Sequence, residues 1–395
     1  MAELQPYLEE DEMDLDGGVP GDSKVALSAS GDPWLLTPGP LTTSLSVKQA
    51  MLHDYGSRDR RFIELNRWMR DELVKIVADA EDYTCVPLQG SGTFVVEAML
   101  TTLLPPDGKA LVLINGAYGK RIAKILDYQG RDYRTLEYAE NEPVSTTDLM
   151  AALAEDTDIS HVVVVHCETT TGILNPLQEV AELTAAAGRA LLIDAMSALG
   201  AIRLNAADTP FQAVAASSNK CLQGPPGMGF CIVRKDALAG CEGNCDSLSL
   251  DLHDQWTAME KNAQWRFTPP VQVIAAFCKA IEEFLEEGGV EGRHARYAEN
   301  CSRLIDGMRE LGFTPLLSAN LQAPIIVTFL MPDHANFEFQ HFYDALSARG
   351  YVIYPGKLTV AETFRIGCIG DLGAPQIDGA LAAIAETLQD MAVQL

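Results

Sequence analysis

His161-Val-Val-Val-Val165, a helix-like run over Leu177–Ala187 and then Ala190-Leu-Leu-Ile-Asp194 decide the fold. Two short apolar runs bracket one longer helical stretch, and continuous apolar runs of this length read as strands buried on both faces. The alternation extends in both directions. Ala110–Ile114, Gln212–Ala216 and Gly229–Val233 read as further buried strands, and Thr93–Leu104, Ala117–Tyr128 and Thr147–Leu153 as helices. Strands alternating with helices predict an α/β chain, a mainly parallel sheet sandwiched by helices, and such sheets bind ligands at the carboxyl ends of their strands. Beyond Gly288-Gly289 the pattern changes: helices over Gly292–Leu311, Glu338–Arg349 and Gln376–Val393 interleave with strands at Ile325–Phe329, Tyr351–Ile353 and Thr363–Ile366. This predicts a large domain over residues 31–289 and a smaller α+β C-terminal domain over 290–395.

Composition narrows the function. A chain of 395 residues that is 47% hydrophobic can bury a large core. With 29 Lys+Arg against 55 Asp+Glu the net charge is −26, and no basic face is apparent, which argues against nucleic acid as a partner. An anionic ligand therefore needs cations placed locally against the overall field. No apolar run approaches the roughly 20 residues that span a bilayer, and the N-terminus lacks a basic and apolar leader, so a soluble cytoplasmic protein is expected. The nine cysteines are odd in number and scattered, the usage of a reducing compartment. Cys241 and Cys245 have no second pair at zinc spacing, and no metal site is expected. Residues 1–30 stand apart: the first 22 carry eight acidic residues and no Lys or Arg, the composition of a disordered tail.

Polar residues gather at the predicted strand ends. Leu88-Gln-Gly-Ser-Gly-Thr93 opens a helix; glycines allow close backbone approach, and helix N-terminal N–H groups favour an anion. The turn suits a phosphate, or is a plain helix cap. It lacks the spacing of dinucleotide and Walker loops. Asp194 follows a buried strand directly, where a carboxylate holds a proton on a heterocyclic nitrogen, binds a metal or caps a helix. Lys220, in Ala215-Ala-Ser-Ser-Asn-Lys220, lies 26 residues later. Desolvation beyond a buried strand lowers a lysine pKa and suits it to Schiff-base chemistry, and Gln223-Gly-Pro-Pro-Gly227 fixes the loop that follows.

From about Leu35 onward the chain resembles the class V, fold type I aminotransferases, which depend on pyridoxal 5'-phosphate (PLP). The resemblance rests on Leu36-Thr-Pro-Gly-Pro-Leu-Thr-Thr43, Leu88-Gln-Gly-Ser-Gly92, Asn115-Gly-Ala-Tyr-Gly119, His166-Cys-Glu-Thr-Thr-Thr-Gly172, Asp194-Ala-Met-Ser197 and Ser218-Asn-Lys220. It continues through Ser247-Leu-Ser-Leu-Asp-Leu252, Trp265-Arg-Phe-Thr268, Tyr354-Pro-Gly-Lys357 and Phe364-Arg-Ile-Gly367. It implies that Lys220 carries PLP and shuttles the substrate proton, and that Asp194 keeps the pyridine nitrogen protonated. Ser91, Gly92 and Thr93 would hold the phosphate, Tyr118 would stack on the ring, and Thr169, Met196 and Asn219 would line the pocket. Trp265 and Thr268 would reach the phosphate of the neighbouring subunit, making a homodimer with shared sites. Arg365 would bind the substrate anion. Within the class the similarity points to 2-aminoethylphosphonate and pyruvate as substrates. Other amino donors (the alanine–glyoxylate and serine–pyruvate types), an inactive PLP-fold binding protein, and a phosphate-binding α/β enzyme without PLP remain as rivals.

Overall fold

The computed structural model describes residues 25–78, 81–356 and 361–395. Seven strands form the main sheet: β1 (Tyr83–Gln89), β2 (Lys109–Ile114), β3 (Asp132–Glu137), β4 (Ile159–Val165), β5 (Ala190–Asp194), β6 (Ala213–Ser217) and β7 (Met228–Arg234). Their order is β1-β7-β6-β5-β4-β2-β3, and only β7 runs antiparallel to its neighbours. The sheet is thus mainly parallel, as the alternation of elements predicts. The helices that matter to the site are α1 (Gly92–Leu103) and α2 (Ala117–Gln129), each starting just past a strand end.

Both faces of the sheet are covered. One cluster gathers Leu111, Val162, Val164, Ile193 and Phe230, and the other Val112, Val163, Val165, Leu192 and Cys231. Alternate residues of one strand thus face opposite layers, which is why the central strands are apolar throughout. Each fully buried Val, Leu or Ile contributes about 1.5–3 kcal/mol of hydrophobic stabilisation.

A helix over Val271–Glu286 leads into α3 (Gly289–Glu310), which begins three residues earlier than the sequence suggests. Ile326–Leu330, Thr363–Gly367 and Tyr354–Pro355 form an antiparallel sheet with its own apolar cluster, centred on Phe313, Phe329, Phe342 and Phe364. Leu36 lies in that cluster too, and Trp34–Leu35 pairs in parallel with Tyr351–Val352. The acidic residues 1–24 lie outside the described residues. Residues 25–30, which composition assigns to the tail, touch the fold at Ala26, whose N–H donates to Arg349 O at 3.1 Å.

Candidate active site

The parallel strands and the start of β7 bring one set of loops to one edge of the sheet. Gly90, at φ 131, turns the chain out of β1, and its N–H donates to Gly227 O at 2.9 Å. Ser91 then caps α1 in extended conformation, but its side chain makes no cap hydrogen bond. The Phe94 N–H donates to Ser91 O at 3.0 Å, and the Gly92 and Thr93 N–H groups are left for an anion. A side chain at Gly92 would stand 2.5 Å from Met196 Sδ, so glycine lets the turn close over the loop after β5.

Asp194 ends β5 and is 5% exposed; one carboxylate oxygen accepts the Met196 N–H at 3.0 Å. Burial pushes its pKa up to about 6, the Glu168 charge adds to the rise, and the Met196 N–H, Arg121 and Lys220 oppose it. Lys220 follows β6 by three residues. Its Nζ donates to Pro38 O and Gly39 O at 2.9 and 3.0 Å, and burial lowers its pKa to about 8. Gly39 has φ 111, and a Cβ there would lie 2.7 Å from Lys220 Cδ. The loop can approach the lysine only as glycine.

Tyr118 is the second residue of α2, and the Arg121 guanidinium stands 4.7 Å from its ring centre. Arg121 also donates to Thr93 Oγ1 at 3.3 Å. Gly92, Thr93, Tyr118, Arg121, Asp194 and Met196 line one cleft of about 30 Å³. Thr169 is buried; its hydroxyl hydrogen-bonds to that of Ser197, and its carbonyl accepts from Arg365 Nη1 at 2.9 Å. Arg365 is 2% exposed, sits 4.7 Å from the centre of the Tyr354 ring, and gives Nη2 to Pro355 O at 3.0 Å. Its buried Nε has no hydrogen-bond partner among the described residues. Asn219 is half-buried beside Lys220, and its carbonyl faces Gly39.

Two predicted residues stand apart from this set within one chain. Trp265 gives its indole N–H to Asn66 Oδ1 at 2.8 Å, and Thr268 is exposed; neither lines the cleft. Lys357 lies outside the described residues. A larger cavity of about 910 Å³ opens around Tyr83, Arg189, Leu191 and Gln212. It meets the opposite ends of the strands and contains neither Lys220 nor the Gly90–Thr93 turn, so its size carries no functional weight.

Sequence reasoning passed over two residues here. Arg121 sits one turn after Tyr118, on the same helix face, a spacing that could have found it. Glu168 is 0% exposed and accepts N–H groups from Tyr118, Gly119 and Thr170. Nothing in a threonine-rich run announces that burial.

The "Aminotransferase class-V" family model matches residues 49–360. The chain belongs to the class V aminotransferases and is a PLP-dependent enzyme. It is 53% identical to the 2-aminoethylphosphonate–pyruvate transaminase of Pseudomonas putida over 364 residues, which cover 92% of this chain and 99% of that one. It is 54% identical to the enzyme of that name from Pseudomonas fluorescens, covering 92% and 98%. Among solved structures, pyridoxamine–pyruvate aminotransferase from Mesorhizobium loti superposes with TM-score 0.83 at 25% identity, covering 92% of this chain and 94% of that one. Alanine–glyoxylate aminotransferase from Nostoc shares the fold, with TM-score 0.84 at 22% identity over 94% and 100%.

The residues present fit the cofactor. The first turn of α1, whose Ser91 side chain makes no cap hydrogen bond, and a buried amine whose pKa is lowered to about 8 are what an anionic aldehyde requires.

Proposed function

We propose that this enzyme transfers the amino group of 2-aminoethylphosphonate to pyruvate, giving phosphonoacetaldehyde and L-alanine. The observation that carries the reading is the match along 99% of the length of the Pseudomonas putida transaminase that bears this name. Asp194, Tyr118, Gly92 and Thr93 line one cleft, and Lys220 stands close enough for its charge to act on Asp194, which supports the reading.

When bound, PLP supplies an aldehyde carbon for the lysine and a ring that accepts electrons from the substrate carbon. Ser91, Gly92 and Thr93 would hold its phosphate, with the Gly92 and Thr93 N–H groups at the start of α1 as donors. Tyr118 orients the ring by stacking, and Met196 and Asn219 bound the pocket. Asp194, one oxygen committed to Met196, would use the other to hold a proton on the cofactor's ring nitrogen. Thr169 contacts the ring edge. Lys220 Nζ would hold the cofactor at rest and, once displaced by the amino substrate, would carry the proton from the substrate carbon to the cofactor's former aldehyde carbon. Arg365 grips the phosphonate of one substrate and the carboxylate of the other in turn, because its planar fork suits both anions.

We further propose a cytoplasmic homodimer in which Trp265 and Thr268 of one subunit approach the phosphate site of the other. Phe94 beside the phosphate turn and Phe267 beside Thr268 are 51% and 52% exposed, an apolar surface that dimerisation would cover. All nine thiols are free, and no helix among the described residues is long and apolar enough to cross a membrane.

Donor profiling tests the substrate. Purified enzyme is expected to form alanine from pyruvate fastest with 2-aminoethylphosphonate. Faster turnover with serine, or with alanine and glyoxylate, would reassign it within the class.

A further inference from the structure

The helix that carries Tyr118 has no cap of its own. Its N-cap is Gly116, which has no side chain, and its first turn holds no acidic residue. The missing acceptor comes from fifty residues away in sequence. Glu168 Oε2 accepts the Tyr118 and Gly119 N–H groups at 3.2 and 3.3 Å. Its Oε1 accepts the Thr170 N–H at 3.2 Å and the Thr170 hydroxyl, and that hydroxyl accepts the Ala117 N–H at 3.2 Å. A wholly buried carboxylate is costly unless hydrogen-bonded; four donors and the positive end of a helix offset the cost here.

The short hairpin formed by Cys167–Glu168 and Ile173–Leu174 also holds other parts of the site. Thr169 O accepts from Arg365, the Thr169 hydroxyl meets Ser197 beyond Asp194, and Thr171 O accepts from Thr328 Oγ1 at 2.9 Å. One rigid turn therefore sets both the ring-stacking tyrosine and the anion-binding arginine. Gly116 belongs to the same arrangement: a Cβ there would stand 2.3 Å from Glu168 Cγ.

We propose that Glu168 is a positioning residue of the active site: its buried carboxylate fixes the first turn of α2 and so places Tyr118 against the cofactor ring. The inference rests on the cofactor site proposed above. It goes beyond helix stability, because it requires Glu168 to act on the cofactor through Tyr118.

The test uses Glu168→Gln, whose amide N–H₂ must face N–H donors in either orientation. It is read in two ways: hydrogen exchange of residues 117–119 in cofactor-free protein, and PLP affinity by titration. Exchange is expected to quicken, and PLP affinity to fall on the order of tenfold, the scale of a hydrogen bond to a charged group. In a Tyr118→Ala background the same substitution should weaken PLP binding no further. If Glu168→Gln fails to fold, Gly116→Ala takes its place. Position 116 is extended, at φ 175, so alanine acts only by displacing the carboxylate. Unchanged exchange, unchanged PLP affinity, or a full further loss in the Tyr118→Ala background each overturns the proposal. Failure of the wild-type protein to take up PLP would instead remove the cofactor reading, and that shows before any variant is made.

Discussion

At the scale of single residues, burial sets the chemistry. Lys220 is lowered from 10.5 to about 8 by desolvation, and only the neutral amine attacks an aldehyde. The rate of PLP uptake by cofactor-free protein should therefore rise about tenfold per pH unit below pH 8 and level off above it. An ordinary lysine would keep accelerating to about pH 10.5. Stopped-flow measurement of the uptake band separates the two, and continued acceleration past pH 9 would show that Lys220 is not desolvated. The same shift has a stability consequence. Between pH 8 and 10.5 the unfolded chain binds more protons at this position than the folded one, so the cost of burying the charge fades as pH rises through that window. Arg365 gives the sharper test of substrate. Arg365→Lys keeps a charge but loses the fork, and it should slow both half-reactions. Arg365→Ala should slow them further, by about 1.5–3 kcal/mol of lost charged hydrogen bonding, with PLP still bound. Single-turnover spectra report each half-reaction. Loss of PLP with normal processing after reloading would make Arg365 a cofactor ligand instead.

At the scale of elements, the lysine loop is held by groups remote in sequence. Gln223 adopts φ 57, unusual for a residue with a side chain. Its amide donates to Tyr297 Oη at 2.6 Å and to Gly370 O at 2.7 Å. Arg293 of α3, 1% exposed, donates to Cys221 O and pairs with Glu287 at 2.6 Å. Arg293→Leu should cost about 3 kcal/mol in urea unfolding. That is the lower end for breaking a buried pair, because Glu287 keeps Arg296 at 2.7 Å; a change under about 0.5 kcal/mol would mean that Arg293 packs only as a hydrocarbon. None of this network is legible in sequence, where Arg293 merely falls within the helix predicted over Gly292–Leu311. What was legible follows from position in the sheet. The five inner strands are buried on both sides and stand out as apolar runs. The two missed strands are the edges: β1 contains Pro87, which counts against a central strand, and β3 is the polar run Asp132–Glu137. Likewise Asp194 and Lys220 could be read because each ends or follows an inner strand. Glu168 could not, because its hairpin has no periodic pattern.

At the scale of the whole molecule, a net charge of −26 must still admit an anionic cofactor and anionic substrates. Arg121, Lys220 and Arg365 concentrate positive charge at one edge of the sheet, and Thr268 would add a hydroxyl from the partner. The shared site can be tested without a structure of the dimer. Thr268 is exposed in the single chain, so Thr268→Asp should fold normally while placing a carboxylate against the phosphate. Lys220→Ala removes the amine proposed to bear the cofactor. Each variant alone should be nearly inactive as a homodimer. In a mixed dimer the Lys220→Ala subunit would lend its native Thr268 to the native Lys220 of the other, restoring one site of the two. Random reassembly of equal amounts makes half of all dimers mixed, so about one quarter of wild-type activity should return. If each site drew only on its own chain, every site in the mixture would carry one lesion, and activity would stay at the level of the separate variants. A recovery near one quarter would establish that the sites cross the subunit boundary; no recovery, with mixed dimers verified by mass spectrometry, would confine Thr268 to its own subunit.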